Sequence, residues 1–236
     1  MIVTGCNGKP GIMHILEGHV QLTKIGDTRG AAFVGSTLFY LNKSGLWRQR
    51  QGELAELVHK NAKDWHGLHR TPDALLAVDP VTDLIHEHTI EGEYVCAWKW
   101  KGDEHGRLHN NDICVDGSDL YTCTFNWGIC KNGKPLGTGT KVQPHSVIRH
   151  DGLTYYCASN LGQVVREGDP WIEPGGFTRG LLATVEGLWV GSSQQRHHAG
   201  GTGARIDLWS WDGELVTTIE LPTNEVYAIA IPEIGT

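Results

Sequence analysis

Three features of the sequence predict an all-β fold, a six-bladed β-propeller that forms a single domain over residues 1–236. Helix signals are almost absent, and the one candidate helix, Glu53–Lys63, has no convincing cap. Short β-branched and aromatic runs recur and end in turn pairs, namely Asp116-Gly117, Asn132-Gly133, Asp151-Gly152, Glu186-Gly187 and Asp212-Gly213. The hairpins also repeat with a period of about 40 residues, which is typical of propeller blades.

Six segments open the repeating units, and a second strand follows the first five of them after a turn. The second residues of the six segments lie 34 to 48 positions apart and are Arg29, His66, His109, His145, Arg179 and Tyr227. The second strands are predicted over Thr37–Leu41, Ala74–Val78, Leu120–Thr124, Thr154–Ala158 and Leu188–Gly191. Extra residues at Glu91–Gly106 and Ser192–Arg205 leave five or seven blades as alternatives.

The last unit contains only one strand, Tyr227–Ile231, so the N-terminus must supply the strands that it lacks. Met1–Thr4, Gly11–Glu17 and His19–Ile25 have strand composition and precede the first full unit. Joining both chain ends in one blade removes the exposed sheet edges that an open array would leave. The sequence therefore predicts a last blade closed by N- and C-terminal strands.

The charge balance excludes two classes of partner. The chain has 20 Lys and Arg against 27 Asp and Glu, a net charge of −7, so it lacks the basic face that nucleic acid or an anionic membrane requires. No run approaches the ~18 apolar residues of a membrane span, and the start of the chain lacks a signal-peptide pattern, so a cytoplasmic location is expected. The six cysteines include no C-x-x-C pair and are expected to be buried apolar residues.

Side-chain alternation in the first strand of each blade predicts what faces the central channel. One set of six residues, which we call the polar ring, contains Arg29, His66, His109, His145, Arg179 and Tyr227. The layer below it contains Ala31, Leu68, Asn111, Val147, Leu181 and Ile229, and the layer at the entrance contains Asp27, Asp64, Arg107, Gln143, Phe177 and Glu225. The pattern predicts a polar pocket above an apolar plug. A register error of one residue would instead turn Gly30, Gly67, Asn110, Ser146, Gly180 and Ala228 to the axis.

Three histidines of the polar ring, His66, His109 and His145, lie on consecutive blades and can converge on one point. A three-histidine set with open positions predicts a divalent metal site, for zinc or for iron or copper. The alternative is that each imidazole is a structural group with its own hydrogen bonds.

The other residues of the polar ring predict a small anionic substrate. Arg29 and Arg179 offer charged, forked donors to a carboxylate or phosphate, unless they pair with the entrance carboxylates Asp27, Asp64 or Glu225. Tyr227 lies between these two blades and is expected to act as a general base or as a ligand.

Further residues are expected to contact the substrate from around the ring. Asn111 lies below the histidines, where it could also orient a ligand imidazole, and Phe177 lies at the entrance. Arg196 and His197 belong to the Gly-rich segment Ser192–Gly203, which is either a lid over the pocket or a surface loop.

The segments Gln143–Ser146, His150–Leu153 and Gly176–Leu181 resemble a family of largely uncharacterised bacterial β-propellers related at fold level to NHL and strictosidine-synthase-like propellers. The composition of the polar ring is similar to that of peptidyl-hydroxyglycine amidating lyase, a six-bladed propeller with a three-histidine zinc, a tyrosine base and substrate-binding arginines. This second resemblance implies that His66, His109 and His145 are the metal ligands. It also implies that Tyr227 is the base and that Arg29 or Arg179 is the carboxylate clamp. The chain lacks the secretory signal and paired cysteines of that exported enzyme, so its substrate is not expected to be a peptide.

These observations predict a metal-dependent enzyme of lyase or hydrolase type that acts on a small anion in the central channel. No nucleophile elbow, P-loop or dinucleotide fingerprint is present. Two alternatives stay open. One is a mononuclear iron or copper oxygenase built on the same three histidines, and the other is a non-catalytic propeller that binds a ligand or a protein partner.

Overall fold

The computed structural model describes residues 1–6, 11–60, 64–99, 108–137, 142–194 and 203–232. Within these ranges the strands form six four-stranded antiparallel sheets, and no α-helix occurs. The sheets are arranged as the blades of a β-propeller around a central channel, and the first strands of neighbouring blades lie side by side along that channel. The prediction of an all-β, six-bladed propeller is confirmed.

The strands follow the chain from blade to blade. Blade 6 takes β1 (Ile2–Cys6), β2 (Gly11–Leu16) and β3 (His19–Thr23); blade 1 contains β4 (Thr28–Val34), β5 (Thr37–Asn42), β6 (Gly45–Gln49) and β7 (Glu56–Lys60); blade 2 contains β8 (Leu68–Arg70), β9 (Ala74–Asp79), β10 (Leu84–Thr89) and β11 (Tyr94–Trp98). Blade 3 contains β12 (Asn110–Asp116), β13 (Asp119–Thr124), β14 (Gly128–Lys131) and β15 (Lys134–Pro135); blade 4 contains β16 (Pro144–His150), β17 (Leu153–Ala158), β18 (Gln163–Arg166) and β19 (Asp169–Ile172). Blade 5 contains β20 (Phe177–Thr184), β21 (Gly187–Ser193), β22 (Arg205–Trp209) and β23 (Leu215–Glu220), and β24 (Glu225–Ala230) returns to blade 6.

Blade 6 closes the propeller by joining the two ends of the chain. β1 pairs antiparallel with β24, with Val3 opposite Ile229 and Cys6 opposite Glu225. The closure by N- and C-terminal strands is therefore as predicted, and the C-terminal strand begins at Glu225, two residues before the predicted start.

The candidate helix at Glu53–Lys63 is wrong, because its centre forms the outer strand β7. Leu57 pairs with Trp47 of β6, so the segment completes a sheet edge in blade 1. Helix propensity is a weak preference that such tertiary pairing overrides.

All five predicted turn pairs lie at hairpin turns, between strands that pair with each other. At the tip joining β14 to β15, Asn132 and Gly133 have φ values of 50° and 73°, both in the left-handed region. Asn-Gly accepts this geometry more readily than other pairs, which is why it marks tight hairpins so clearly.

Small residues of the inner strands lie where blades approach most closely. A Cβ at Gly67 would lie 2.3 Å from Oδ1 of Asp112 in the next blade, and a Cβ at Gly30 would lie 2.6 Å from the carbonyl oxygen of His66. The amide of Gly30 donates to that same carbonyl at 2.8 Å. These residues therefore pack blade against blade, which leaves the polar ring to face the channel.

Apolar clusters fill the spaces between blades, for example Phe39, Leu41 and Leu75 between blades 1 and 2. All six cysteines are free; five are buried, and Cys96 is exposed on the edge strand β11. Among the residues described, no helix has the length and apolar character to cross a membrane.

Candidate functional site

The polar ring is assembled around Tyr227. The guanidinium carbon of Arg179 lies 4.4 Å from the centroid of the Tyr227 ring, and that of Arg29 lies 5.9 Å from it. The imidazole of His66 lies 5.7 Å from Tyr227 and 6.1 Å from the imidazole of His109, measured between ring centroids. Two cations, a phenol and two imidazoles thus meet in a narrow section of the channel.

Arg179 is held on several sides within this ring. Its Nη1 donates to Oε2 of Glu225 at 3.1 Å, and both side chains are only 4% exposed. Its Nη2 lies 3.1 Å from Nε2 of His145, and its guanidinium carbon lies 4.7 Å from the centroid of the Phe177 ring. Pairing with an entrance carboxylate, the alternative considered for the arginines, therefore applies to Arg179.

Hydrogen bonds fix the neutral form of His145. Its Nδ1 lies 2.7 Å from the carbonyl oxygen of Gln143, an acceptor, so Nδ1 carries the proton. The Ser159 hydroxyl, which itself donates to the Thr178 carbonyl, lies 3.0 Å from the same nitrogen. Nε2 then has the lone pair, and it accepts from Arg179.

His66 is also oriented by its neighbours. The amide nitrogen of Asn111 donates to the Pro144 carbonyl at 2.9 Å, which leaves its Oδ1 to accept from Nδ1 of His66 at 3.4 Å. Burial, followed by the positive charges of Arg29 and Arg179, lowers the pKa of His66 to about 3. The side chain is therefore a neutral imidazole with its lone pair on Nε2.

These contacts bear on the predicted metal site. Among the described residues, no three His, Cys, Asp or Glu side chains are grouped closely enough to hold an ion. His66 and His109 are neighbours, but both nitrogens of His145 are engaged by Arg179, Gln143 and Ser159. In this arrangement the donor set does not fit a shared ion, because a metal on His145 would have to replace a guanidinium. The three-histidine site stays a prediction.

In the polar ring, two buried guanidinium nitrogens have no hydrogen-bond partner among the described residues, namely Nη1 of Arg29 and Nε of Arg179. An unsatisfied buried donor costs about 1–3 kcal/mol, and more when the group is charged. The two groups flank Tyr227, so one anion bound beside that ring could satisfy both.

A cavity of about 290 Å³ continues below the polar ring toward the far ends of the inner strands. His66, His145, Arg179 and Tyr227 line its upper end, and the mostly apolar layer lines its middle. The prediction that this layer forms a plug is therefore wrong.

Two carboxylates, Asp83 and Asp112, support the polar ring by accepting backbone N–H groups near it. The sequence analysis did not predict this role for either residue. Asp83, in the turn between β9 and β10, accepts the backbone N–H groups of Leu108 at 2.8 Å and His109 at 2.6 Å. Asp112 lines the cavity and accepts the backbone N–H of Val147 at 3.2 Å, and burial raises its pKa to about 7. No sequence signal could have identified the role of Asp83, because its backbone partners lie some 25 residues away in the sequence.

Three residues named above lie outside the described ranges. Arg196 and His197, predicted to contact the substrate, fall in residues 195–202, and Arg107 of the entrance layer falls in residues 100–107. The lid and the surface loop therefore both stay open as interpretations of that segment.

No protein-family model and no curated protein matches the sequence. A protein of unknown function from Bacteroides caccae matches in structure with a TM-score of 0.73 at 13% identity, covering 97% of each chain. A gluconolactonase from Xanthomonas campestris has a TM-score of 0.61 at 17% identity, covering 84% of this chain and 77% of that one. Virginiamycin B lyase from Staphylococcus aureus has a TM-score of 0.57 at 11% identity, covering 93% and 83%. At such low identity the likeness shows a common fold and nothing finer.

Proposed function

We propose that the polar ring is the active site of a lyase- or hydrolase-type enzyme whose substrate is a small anion. Arg29 and Arg179, on either side of Tyr227, each have a buried guanidinium nitrogen without a hydrogen-bond partner among the described residues. This pair of donors is the observation that carries the proposal. A carboxylate or phosphate would accept from both.

The charges of the ring support an anion over a cation. Arg179 is paired with Glu225, and Arg29 has a buried guanidinium nitrogen without a hydrogen-bond partner among the described residues. His66 is neutral and its Nε2 can only accept, so it contributes no charge of either sign. A bound anion would balance the remaining positive charge in a buried place, where such pairing is strong.

Tyr227 is the residue that we propose to move a proton. The guanidinium carbons of Arg179 and Arg29 lie 4.4 Å and 5.9 Å from the centroid of its ring, so negative charge that develops on the phenolic oxygen would be stabilised during transfer. Arg179 is held rigidly by Glu225 and His145, which keeps this stabilisation in place before the substrate arrives. Such preorganised charge is commonly the largest contribution to catalysis.

Fold-level likeness adds modest support for this reaction class. The same architecture carries a gluconolactonase and a lyase among its structural neighbours, and a shared fold permits a reaction without specifying it.

A metal on His66, His109 and His145 is not needed for the roles described above. If bound, zinc would supply Lewis-acid chemistry, and iron or copper would supply oxygen chemistry. Elemental analysis of the purified protein tests both, and stoichiometric metal that is lost in a His109→Ala variant would support the predicted site.

Anion binding is tested by calorimetric titration with acetate and with inorganic phosphate. We expect Arg29→Met to weaken binding at least ten-fold, because it removes one of the two unpartnered donors. Arg50→Met removes an exposed arginine paired with Glu53 and serves as the control, with no expected change. Equal binding by the wild type and Arg29→Met would overturn the site.

Turnover is tested separately by proton release when lactones or esters of small hydroxy acids are added to weakly buffered protein. Tyr227→Phe should abolish proton release and keep anion binding, since the two arginines remain. Binding without turnover of any substrate in the wild type would favour the non-catalytic propeller.

A further inference from the structure

His66 presents a hydrogen-bond acceptor to the channel. Its Nδ1 lies 3.4 Å from Oδ1 of Asn111, which can only accept, so Nδ1 carries the proton and Nε2 carries the lone pair. Within the described part of the chain, no group donates a hydrogen bond to Nε2. The side chain lines the upper end of the cavity, so a molecule bound in the polar ring can reach this lone pair.

Asn111 fixes which nitrogen of His66 is the acceptor. Asn111 is only 3% exposed, and its amide nitrogen donates to the Pro144 carbonyl at 2.9 Å, so the amide oxygen is the end that faces His66. Turning the amide over would set its oxygen against the Pro144 carbonyl, and two acceptors do not bond. The acceptor at Nε2 is therefore built into the fold before a ligand arrives.

The polar ring thus combines donors with an acceptor around one phenol. The guanidinium carbons of Arg29 and Arg179 lie 5.9 Å and 4.4 Å from the centroid of the Tyr227 ring, and the imidazole of His66 lies 5.7 Å from it. Burial and the two guanidinium charges oppose a second proton on this imidazole, so it stays an acceptor. Both kinds of partner therefore lie within the span of one small molecule.

We propose that the ligand is a small carboxylate that carries its own hydrogen-bond donor, a hydroxyl or an amide N–H, within a few bonds of the carboxylate. The carboxylate accepts from Nη1 of Arg29 and Nε of Arg179, and the donor group donates to Nε2 of His66. This inference rests on the proposed function, since it takes the polar ring as an anion site.

A carboxylate without such a donor fits the polar ring less well. When it displaces water from the channel, Nε2 of His66 loses the donor that water supplies and gains no other. An acceptor left unsatisfied in a closed site is costly, whereas a ligand with a donor replaces the lost bond. His66 is therefore the residue that selects between the two classes of carboxylate.

The test compares carboxylates in pairs, titrated by calorimetry at neutral pH. The pairs are glycolate with methoxyacetate, 3-hydroxypropanoate with 3-methoxypropanoate, and N-acetylglycine with N-acetylsarcosine. In each pair, methylation removes the donor and keeps the carboxylate. We expect the donor-bearing member of at least one pair to bind about ten-fold more tightly than its methylated partner and than acetate. The first two pairs report on a hydroxyl donor, and the third reports on an amide donor.

A pair of histidine variants identifies the group that accepts from the ligand. His66→Phe keeps an aromatic ring and removes both nitrogens, so the ratio of affinities within the preferred pair should fall to about one. His19→Phe, at an exposed position of β3, is the matched control and should keep the wild-type ratio. Thermal unfolding establishes that each variant is folded, and the ligand pairs test the inference on the wild type even if His66→Phe does not fold.

A metal ion on His66 would also favour a hydroxy acid, because the ion would bind its hydroxyl and carboxylate oxygens together. The titrations are therefore repeated after dialysis against EDTA and then against buffer. The preference for the donor-bearing ligand should persist. Its loss would overturn a direct hydrogen bond to His66.

The outcomes separate this inference from the proposed function. Binding of acetate or phosphate with no preference in any of the three pairs would overturn the inference and leave the anion site standing. A preference that His66→Phe retains would refute the role of His66. Failure of every carboxylate and of phosphate to bind would contradict both proposals.

Discussion

Asp83 accepts the backbone N–H of His109 at 2.6 Å, although the two residues belong to different blades. The same carboxylate accepts from Leu108 and Asn110, so it satisfies three consecutive amides where the inner strand of blade 3 begins. Asp83 is 3% exposed, and His109 has a left-handed φ of 56°. A turn in blade 2 thereby fixes the direction in which blade 3 presents a residue to the polar ring.

Asp83→Asn keeps the size of this side chain and removes its charge and one of its two acceptors. The amide would place its own N–H groups against the backbone donors. We expect a loss of about 2 kcal/mol in the free energy of unfolding, measured in urea. Asp73→Asn, in the exposed turn on the opposite side of the same blade, is the control and should change it by less than about 0.5 kcal/mol. Equal losses in both variants would contradict the anchoring role of Asp83.

Removing the carboxylate that pairs with Arg179 should lower the free energy of unfolding by more than Asp83→Asn does. Glu225→Gln leaves a buried guanidinium without its carboxylate, which we expect to cost about 3 kcal/mol in urea unfolding. Glu56→Gln breaks the ion pair between an exposed carboxylate and Arg48 and should change the free energy of unfolding far less, because solvent screens that pair. Combining Glu225→Gln with Arg179→Met should recover much of the loss, because the unpaired charge is gone; no recovery would point to packing instead of charge.

Local signals were enough to predict the blades, since turn pairs such as Asn132-Gly133 mark hairpins through backbone geometry alone. Alternation along the first strands also predicted the members of the polar ring. It does not extend to the layer below, because five of these strands shift register beside their ring residues. The hydrogen-bond partners of the ring residues could not be predicted from the sequence. Whether Arg179 points to Glu225, to His145 or into open space depends on side-chain rotamers. The strand at Glu56–Lys60 was missed because its edge position in the sheet is a tertiary property.

The stability of the protein should fall in mild acid because buried histidines resist protonation. His88 is fully buried, neither ring nitrogen has a partner within the described residues, and burial lowers its pKa from 6.5 to about 4. Between these values the unfolded chain takes up a proton that the folded chain does not, so acidification favours unfolding. His88→Phe should reduce the loss of unfolding free energy between pH 7 and pH 4.5. His19→Phe, at an exposed position of β3, is the control, and equal slopes in both variants would contradict this origin.

Asp112 should change the stability of the protein with pH in the direction opposite to that of His88, over nearly the same pH range. Burial raises its pKa from 3.8 to about 7, so the folded protein holds a proton that the unfolded chain has released. The stabilisation from this group is present in acid and is lost as the pH rises from about 4 to about 7. Asp112→Asn cannot ionise, and its amide oxygen can still accept from Val147. We therefore expect the free energy of unfolding of the variant to be close to that of the wild type near pH 4.5 and to exceed it by about 3 kcal/mol at pH 8, measured by urea unfolding at both values. Asp73→Asn again serves as the control, and a constant difference between Asp112→Asn and the wild type at the two pH values would show that the Asp112 carboxyl does not titrate in this range.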